Sequence, residues 1–197
     1  MGLPFRRLGC MIIETLFATF SDAEEPNFAP MGVVWGEGEV TVRPFRDTTT
    51  YRNLVSTSCG VANLTDDVLL FARAALEDVE PPWRPASHVR GAVLRNACAW
   101  RELEVIEESG RGARADIRCR VVGRGNQREF VGFSRARSAV IEAAILATRL
   151  HLHPRKDVEG ALERYDDVVS KTGGEREHEA MRYLHDHVKR WYGESTD

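Results

Sequence analysis

The sequence predicts an α+β protein, rich in strands in its earlier part and helical at its end. Period-two alternation of apolar and polar residues marks Glu39–Arg43 and Ala115–Val122 as half-buried strands. Helical spacing governs Tyr51, Leu54 and Val55, and again Val68, Phe71, Ala72 and Ala75. The run from Ser138 to Leu150 is apolar on nearly every side, which predicts a buried helix.

Ile12, Ile13, Leu16 and Phe17 open the first strand. Ser21 to Pro26 reads as a hairpin loop, and Asn27 to Trp35 as the returning strand. Pro30 has no N–H to give, so it breaks the ladder and calls for an edge or a bulge, while Gly32 permits close backbone approach. Gly36-Glu37-Gly38 is a tight turn into the strand at Glu39. Pro44 and Asp47 punctuate it, and Thr48, Thr49 or Thr50 can cap the helix that follows. Gly60 is expected to end that helix before a strand at Val61–Leu64.

Thr65 is expected to cap a second helix, with Asp66 and Asp67 on the positive end of its dipole and Leu69 and Leu76 widening its apolar face. The alternative for the two aspartates is contact with a partner subunit or substrate. Pro81-Pro82-Trp83-Arg84-Pro85 reads as irregular, with Trp83 either stacking on a planar ligand or packing over the fold. Trp100 to Val105 alternates, and turns are expected at residues 109–112 and again at 123–126 before a closing strand, Phe130–Phe133. Arg118 and Arg120 share a sheet face and are expected to pair with Glu102 and Glu104 rather than with an anion. After Pro154, residues 157–170 and 175–192 each carry one apolar stripe, parted by Thr172-Gly173-Gly174, which predicts a helical hairpin. The organisation expected is therefore a poorly ordered extension over residues 1–10, a strand-rich domain over 11–135 and a helical region over 136–197.

Composition sets limits on function. A formal charge of −3 gives no global pull toward nucleic acid or an anionic membrane. The four cysteines lie far apart with no C-x-x-C pair, which argues against a zinc site and a disulfide framework and fits a cytoplasmic protein with reduced thiols. His151/His153 and His185/His187 are spaced two apart and do not share a helix face, so no metal site is expected. The N-terminus has no apolar run of a secretory signal, Arg6 spoils a myristoylation reading of Gly2, and Met11 is a second candidate start.

The stretch from Glu39 to Asp67 carries the chemistry. A helix start offers amides with no internal acceptor, and here it is surrounded by hydroxyls and by Arg43, Arg52 and Asn53, which together make an anion site. A capped helix with solvated arginines is the plainer account of the same residues.

The order strand, Thr50-Tyr51-Arg52-Asn53, then the strand with Gly60-Val61-Ala62-Asn63-Leu64 resembles the phosphate-binding segment of FMN-binding split β-barrel proteins, flavin reductases among them. Most similar is an uncharacterised branch, catalogued as domain of unknown function 447, which shares IIETL, PNFAPMGV, RPF, TYRNL, NLTDDVLLFARAAL and SAVIEAAILATRL. The resemblance implies a split β-barrel with a C-terminal helical appendage, binding FMN. It implies phosphate contacts from Arg43, Thr48, Thr49, Thr50, Arg52 and Asn53. Pro30, Met31 and Gly32 would lie beside the flavin ring, and Asn63 and Leu64 along the ribityl chain and ring. It further implies a homodimer with flavin at the subunit interface, and an oxidoreductase of a small-molecule redox substrate, with no nucleic-acid or membrane partner. A non-catalytic flavin carrier stays open beside it, as does a deazaflavin-dependent reductase, with a link to tetrahydropterin one-carbon metabolism. With no nucleophile elbow, P-loop or catalytic dyad in the sequence, the redox chemistry would belong to the flavin.

Overall fold

The computed structural model describes residues 11–193, so the expectations for residues 1–10, Cys10 included, lie outside it. In chain order the elements are β1 (Ile12–Phe20), β2 (Pro26–Trp35), β3 (Glu39–Val42), α1 (Thr49–Thr57), β4 (Cys59–Leu64), α2 (Val68–Ala74), β5 (Trp83–Pro85), β6 (Ala92–Leu94), β7 (Ala99–Ser109), β8 (Asp116–Asn126), α3 (Arg135–Ala147), a 3₁₀ turn (Leu150–Leu152), α4 (Arg155–Thr172) and α5 (Glu175–Trp191). They form two compact units. Of the described residues, one holds 11–64 with Trp83–Leu94 and Ala99–Gly125; the other holds Thr65–Pro82, Arg95–Cys98 and 126–193.

The first unit is a closed barrel in the order β1-β2-β3-β8-β7-β4, with β4 returning to β1. Its interior is filled by Phe17, Val33, Val40, Val42, Ala62, Leu103 and Ile117, and Leu54 of α1 joins them at 1% exposure. Helix α1 therefore docks on the barrel by an apolar residue, as its spacing predicts, while Val55 stays exposed.

Pro30 sits in an unbroken register with β1, from Ile12 opposite Val34 to Phe20 opposite Pro26, so there is no bulge. Trp35 donates to the Met11 carbonyl at 2.9 Å, and antiparallel alternation from that bond turns the even-numbered residues of β2 away from β1. Pro26 and Pro30 occupy positions whose N–H β1 does not need. Strand β3 pairs with β2 only at Val34 and Trp35, so the outward backbone groups around Pro30 and Gly32 lie on an edge that β3 leaves open.

Several local expectations are corrected. Helix α1 ends at Ser58, in the left-handed region at φ 53°, and Gly60 lies inside β4. A Cβ on Gly60 would come within 2.7 Å of the Phe17 ring, so this glycine serves close packing rather than helix termination. Trp83–Pro85 is not irregular but pairs with Ala92–Leu94 in a two-stranded sheet. Trp83 meets Phe20 edge-on at 5.5 Å between ring centroids. Strand β8 runs straight through Gly123 and Gly125, where a turn is expected from sequence. A Cβ on Gly125 would overlap the Trp100 ring at 2.2 Å, and one on Gly123 would meet His88 and Glu102. Phe130–Phe133 forms no strand. Arg120 does pair with Glu104, but Arg118 pairs with Glu107 and Glu39. Glu102 is instead buried, accepting from the Ser87 and His88 amides and the Trp100 indole N–H. Burial pushes the Glu102 carboxyl up, but those three donors outweigh it and hold the group below the usual glutamate range.

The second unit has its own core. Its α3 face is built from Ala136, Ala139, Val140, Ala143, Ala144 and Ala147, and the small side chains let α4 and α5 approach closely. Val158, Leu162 and Val169 of α4 and Met181, Leu184 and Val188 of α5 supply the bulk, whereas Trp191 is exposed. Helix α3 starts at Arg135, capped by Ser134, three residues before the apolar run. Asp67, not Thr65, caps α2 through the Leu70 amide, and Thr65 accepts from the Asp67 amide. Both aspartates also face arginines: Asp66 pairs with Arg128 and Arg137, and Asp67 with Arg176.

Candidate functional site

The sequence-predicted anion site converges on the start of α1. Thr48 is the cap: its hydroxyl accepts from the Tyr51 amide at 3.3 Å and donates to the Phe45 carbonyl at 2.7 Å. The Arg52 amide bonds to the Thr48 carbonyl. That leaves the amides of Thr49 and Thr50, the first two of the helix, with no acceptor within it. The Arg52 guanidinium folds back over the same turn, donating to the Asp47 carbonyl at 2.8 Å and the Thr49 hydroxyl at 3.0 Å. Thr49 and Arg52 are exposed, so the Thr49 hydroxyl proton and the remaining guanidinium protons are free to meet a ligand.

Thr50 and Asn53 point the other way. Thr50 is 2% exposed and its hydroxyl accepts from Asn27 at 3.1 Å. Asn53 is 6% exposed and donates to the Thr19 hydroxyl at 3.1 Å. Sequence reasoning gave no signal for Thr19 or Asn27, because nothing local ties a strand hydroxyl to a helix that follows a turn and two further strands.

A second polar cluster borders this turn. The Arg46 guanidinium donates to the Tyr51 hydroxyl at 2.5 Å, to Glu108 at 2.6 Å and to the Gly110 carbonyl at 2.9 Å, and the Tyr51 hydroxyl donates to Glu108 at 2.9 Å. The Glu108 hydrogen bond raises both the Arg46 and the Tyr51 pKa, and the Arg46 bond lowers that of Glu108. This group fixes the loop that enters α1.

Other predicted site residues lie elsewhere. Arg43 is held at 2.6 Å on Asp116, with both side chains about half exposed. Pro30, Met31 and Gly32 line the open part of the β2 edge, and the Met31 carbonyl also accepts from the Thr15 hydroxyl. Leu16 of β1 lies opposite both Pro30 and Asn63, so these two share one row across neighbouring strands. The Asn63 side chain is fully buried and bonded at both ends, to the Ala92 carbonyl at 3.1 Å and the Leu94 amide at 2.9 Å. Leu64 pairs with Ala99 at the end of β4.

The donors at the α1 start suit a phosphate ester. Its oxygens only accept hydrogen bonds, and here the exposed Thr49 offers an amide and a hydroxyl, and Arg52 a guanidinium, at the positive end of a nine-residue helix. Of the nearby carboxylates, Glu108 is occupied by Arg46 and Tyr51.

Comparison with known proteins gives concordant findings. A family model described as the N-terminal domain of a protein of unknown function (DUF447) matches residues 13–128, and one described as protein of unknown function (DUF447) matches residues 134–186. An FMN-bound DUF447 protein of Methanosarcina mazei superposes with a TM-score of 0.78 at 27% identity, covering 89% of this chain and 94% of that one. A flavoredoxin of Methanosarcina acetivorans gives 0.55 at 9% identity over 67% of this chain and 78% of its own. An FMN-binding protein of Thermus thermophilus gives 0.51 at 18% identity over 64% and 77%. The architecture is the FMN-binding type of split β-barrel with C-terminal helices.

Proposed function

We propose that this chain, which belongs to the DUF447 family, binds FMN through the start of α1 and acts as an FMN-dependent oxidoreductase on a small-molecule substrate. The observation that carries the reading is the set of exposed donors just described: the Thr49 amide and hydroxyl and the Arg52 guanidinium. The Methanosarcina mazei protein, similar over nearly its whole length, is FMN-bound, which supports the same cofactor here. When bound, FMN supplies the hydride and electron transfer chemistry.

The chain's own residues bind and orient. Thr48 fixes the helix start, Thr49 and Arg52 would take the phosphate, and the outward backbone of Pro30 and Gly32, with Met31 between them, would meet the ring edge, with Leu64 further along the barrel wall. Arg43 bonds Asp116 through its Nε–H alone, so the rest of its half-exposed guanidinium stays in the proposal as a phosphate donor. Asn63 brackets β4 to β6 and enters the reading as support. A homodimer with flavin at the subunit interface belongs to the same proposal, on the strength of the family resemblance.

The test is direct. The purified protein is expected to carry or take up a yellow cofactor, which mass measurement after extraction identifies as FMN rather than a deazaflavin. Reduced FMN on the protein is expected to be reoxidised by an acceptor faster than free reduced FMN. Binding without any such acceleration would leave a carrier; a protein that takes up no FMN would end the reading.

A further inference from the structure

We infer that Thr19 and Asn27 are positioning residues for the cofactor phosphate, and that the side chains of Thr50 and Asn53 act as anchors for α1 rather than as phosphate ligands. The inference rests on the FMN reading above and assigns to this pair of strand residues a part in it. Thr19 and Asn27 lie directly opposite each other where β1 and β2 approach their connecting loop. Register places Thr19 on the same face of β1 as Phe17, which is a core residue of the barrel. From there the two strands present a matched set to the helix. The Asn27 amide donates to Thr50 at 3.1 Å and lies 3.4 Å from the Thr19 hydroxyl, which in turn accepts from Asn53 at 3.1 Å.

Thr19 is fully buried, and Thr50 and Asn53 are nearly so. Polar groups this deep are costly to leave unpaired, so the helix has one well-satisfied seat on the hairpin. Thr50 and Asn53 are three apart and share one face, and Leu54 beside them enters the barrel core. With that face fixed, the Thr49 amide and hydroxyl and the Arg52 fork are left on the exposed side of the turn. Binding a dianion at fixed donors needs their spacing held to a fraction of an ångström, which is why a seat with no ligand contact controls affinity.

Riboflavin lacks the phosphate, so it separates placement of the phosphate donors from general damage. For the full-length parent, Thr19→Val, Asn27→Ala and Thr19→Ser, we would measure Kd for FMN and for riboflavin, together with hydrogen exchange of the α1 amides. Thr19→Val and Asn27→Ala are expected to weaken FMN about tenfold, leave riboflavin unchanged and speed exchange in α1; Thr19→Ser, which keeps the hydroxyl, restores all three. An unchanged FMN-to-riboflavin ratio in a folded Asn27→Ala protein overturns the inference. If the parent binds neither flavin, the FMN reading falls by itself. In that event exchange still decides the anchoring: unaltered α1 protection in Asn27→Ala defeats it.

Discussion

The barrel and the helical unit hold their key junctions with opposite chemistry. In the barrel, α1 is seated by neutral groups: two hydroxyls and two amides, Thr19, Thr50, Asn27 and Asn53. In the helical unit the start of α2 is tied by ions, with Asp66 bound by Arg128 and Arg137, Arg137 reaching on to Glu177, and Asp67 bound by Arg176. These residues line a cleft of about 370 Å³ together with Asn96 and Glu175. The ionic cluster answers to pH and salt, whereas the neutral seat holds its geometry while leaving the donors beside it uncommitted. A site that must receive a dianion gains from the second arrangement, since a carboxylate in the seat would repel the ligand.

Three substitutions and a fall in pH sharpen the contrast. Leu54→Ala strikes where the neutral seat meets the core, and should cost about 3 kcal/mol in denaturant unfolding of the barrel through the cavity it leaves. Asp66→Ala takes the shared carboxylate from Arg128 and Arg137 and should cost about 2 kcal/mol, below the usual range for buried pairs because both arginines are partly exposed and Arg137 keeps Glu177. Its loss should register in helical-unit probes and leave flavin affinity alone. Thr48→Ala removes the α1 cap and should cost about 1 kcal/mol, with Thr48→Ser close to neutral.

Acid gives the smallest effect and the clearest separation. The Arg128 hydrogen bond lowers the Asp66 pKa from its ordinary 3.8. Burial pushes Glu177 up, but the Gly174 amide and Arg137 outweigh it and hold the group below 4.5. Depressed carboxylates stabilise the fold above their ordinary values, and that contribution is lost as pH falls through the lowered ones. Amide protection in α2, α3 and α5 should therefore fall below about pH 4.5. So should protection of the Ser87–His88 loop held by Glu102, whose carboxyl is lowered too. The Thr19–Asn27–Thr50–Asn53 seat has nothing to titrate in that range, so α1 should change least, and what it loses should centre on Tyr51, which Glu108 holds.

How much of this was legible in sequence depended on whether a signal was local. Alternation located β3 and the start of β8, and spacing located α1, α2, α4 and α5, because each pattern reports which face of one element is buried. The helix-start donors were legible for the same reason, since Thr48, Thr49 and Arg52 lie within one turn. Glycine and proline misled where their cause was distant. Gly123 and Gly125 read as a turn but make room for His88, Glu102 and the Trp100 ring, and Pro85 read as irregular although β6 offers it a partner. Asp67 takes the α2 cap from Thr65 in the setting of its bond to Arg176, 109 residues away in the chain. Thr50 and Asn53 were found by motif, but their inward direction depends on Thr19 and Asn27, which no spacing rule connects to them.

The most direct measurement is calorimetric titration of the unaltered protein with FMN and with riboflavin at matched salt. Phosphate held at the start of α1 predicts that FMN binds at least about tenfold more tightly than riboflavin, and that raising the salt narrows the gap. Equal affinities for the two flavins, insensitive to salt, would contradict it.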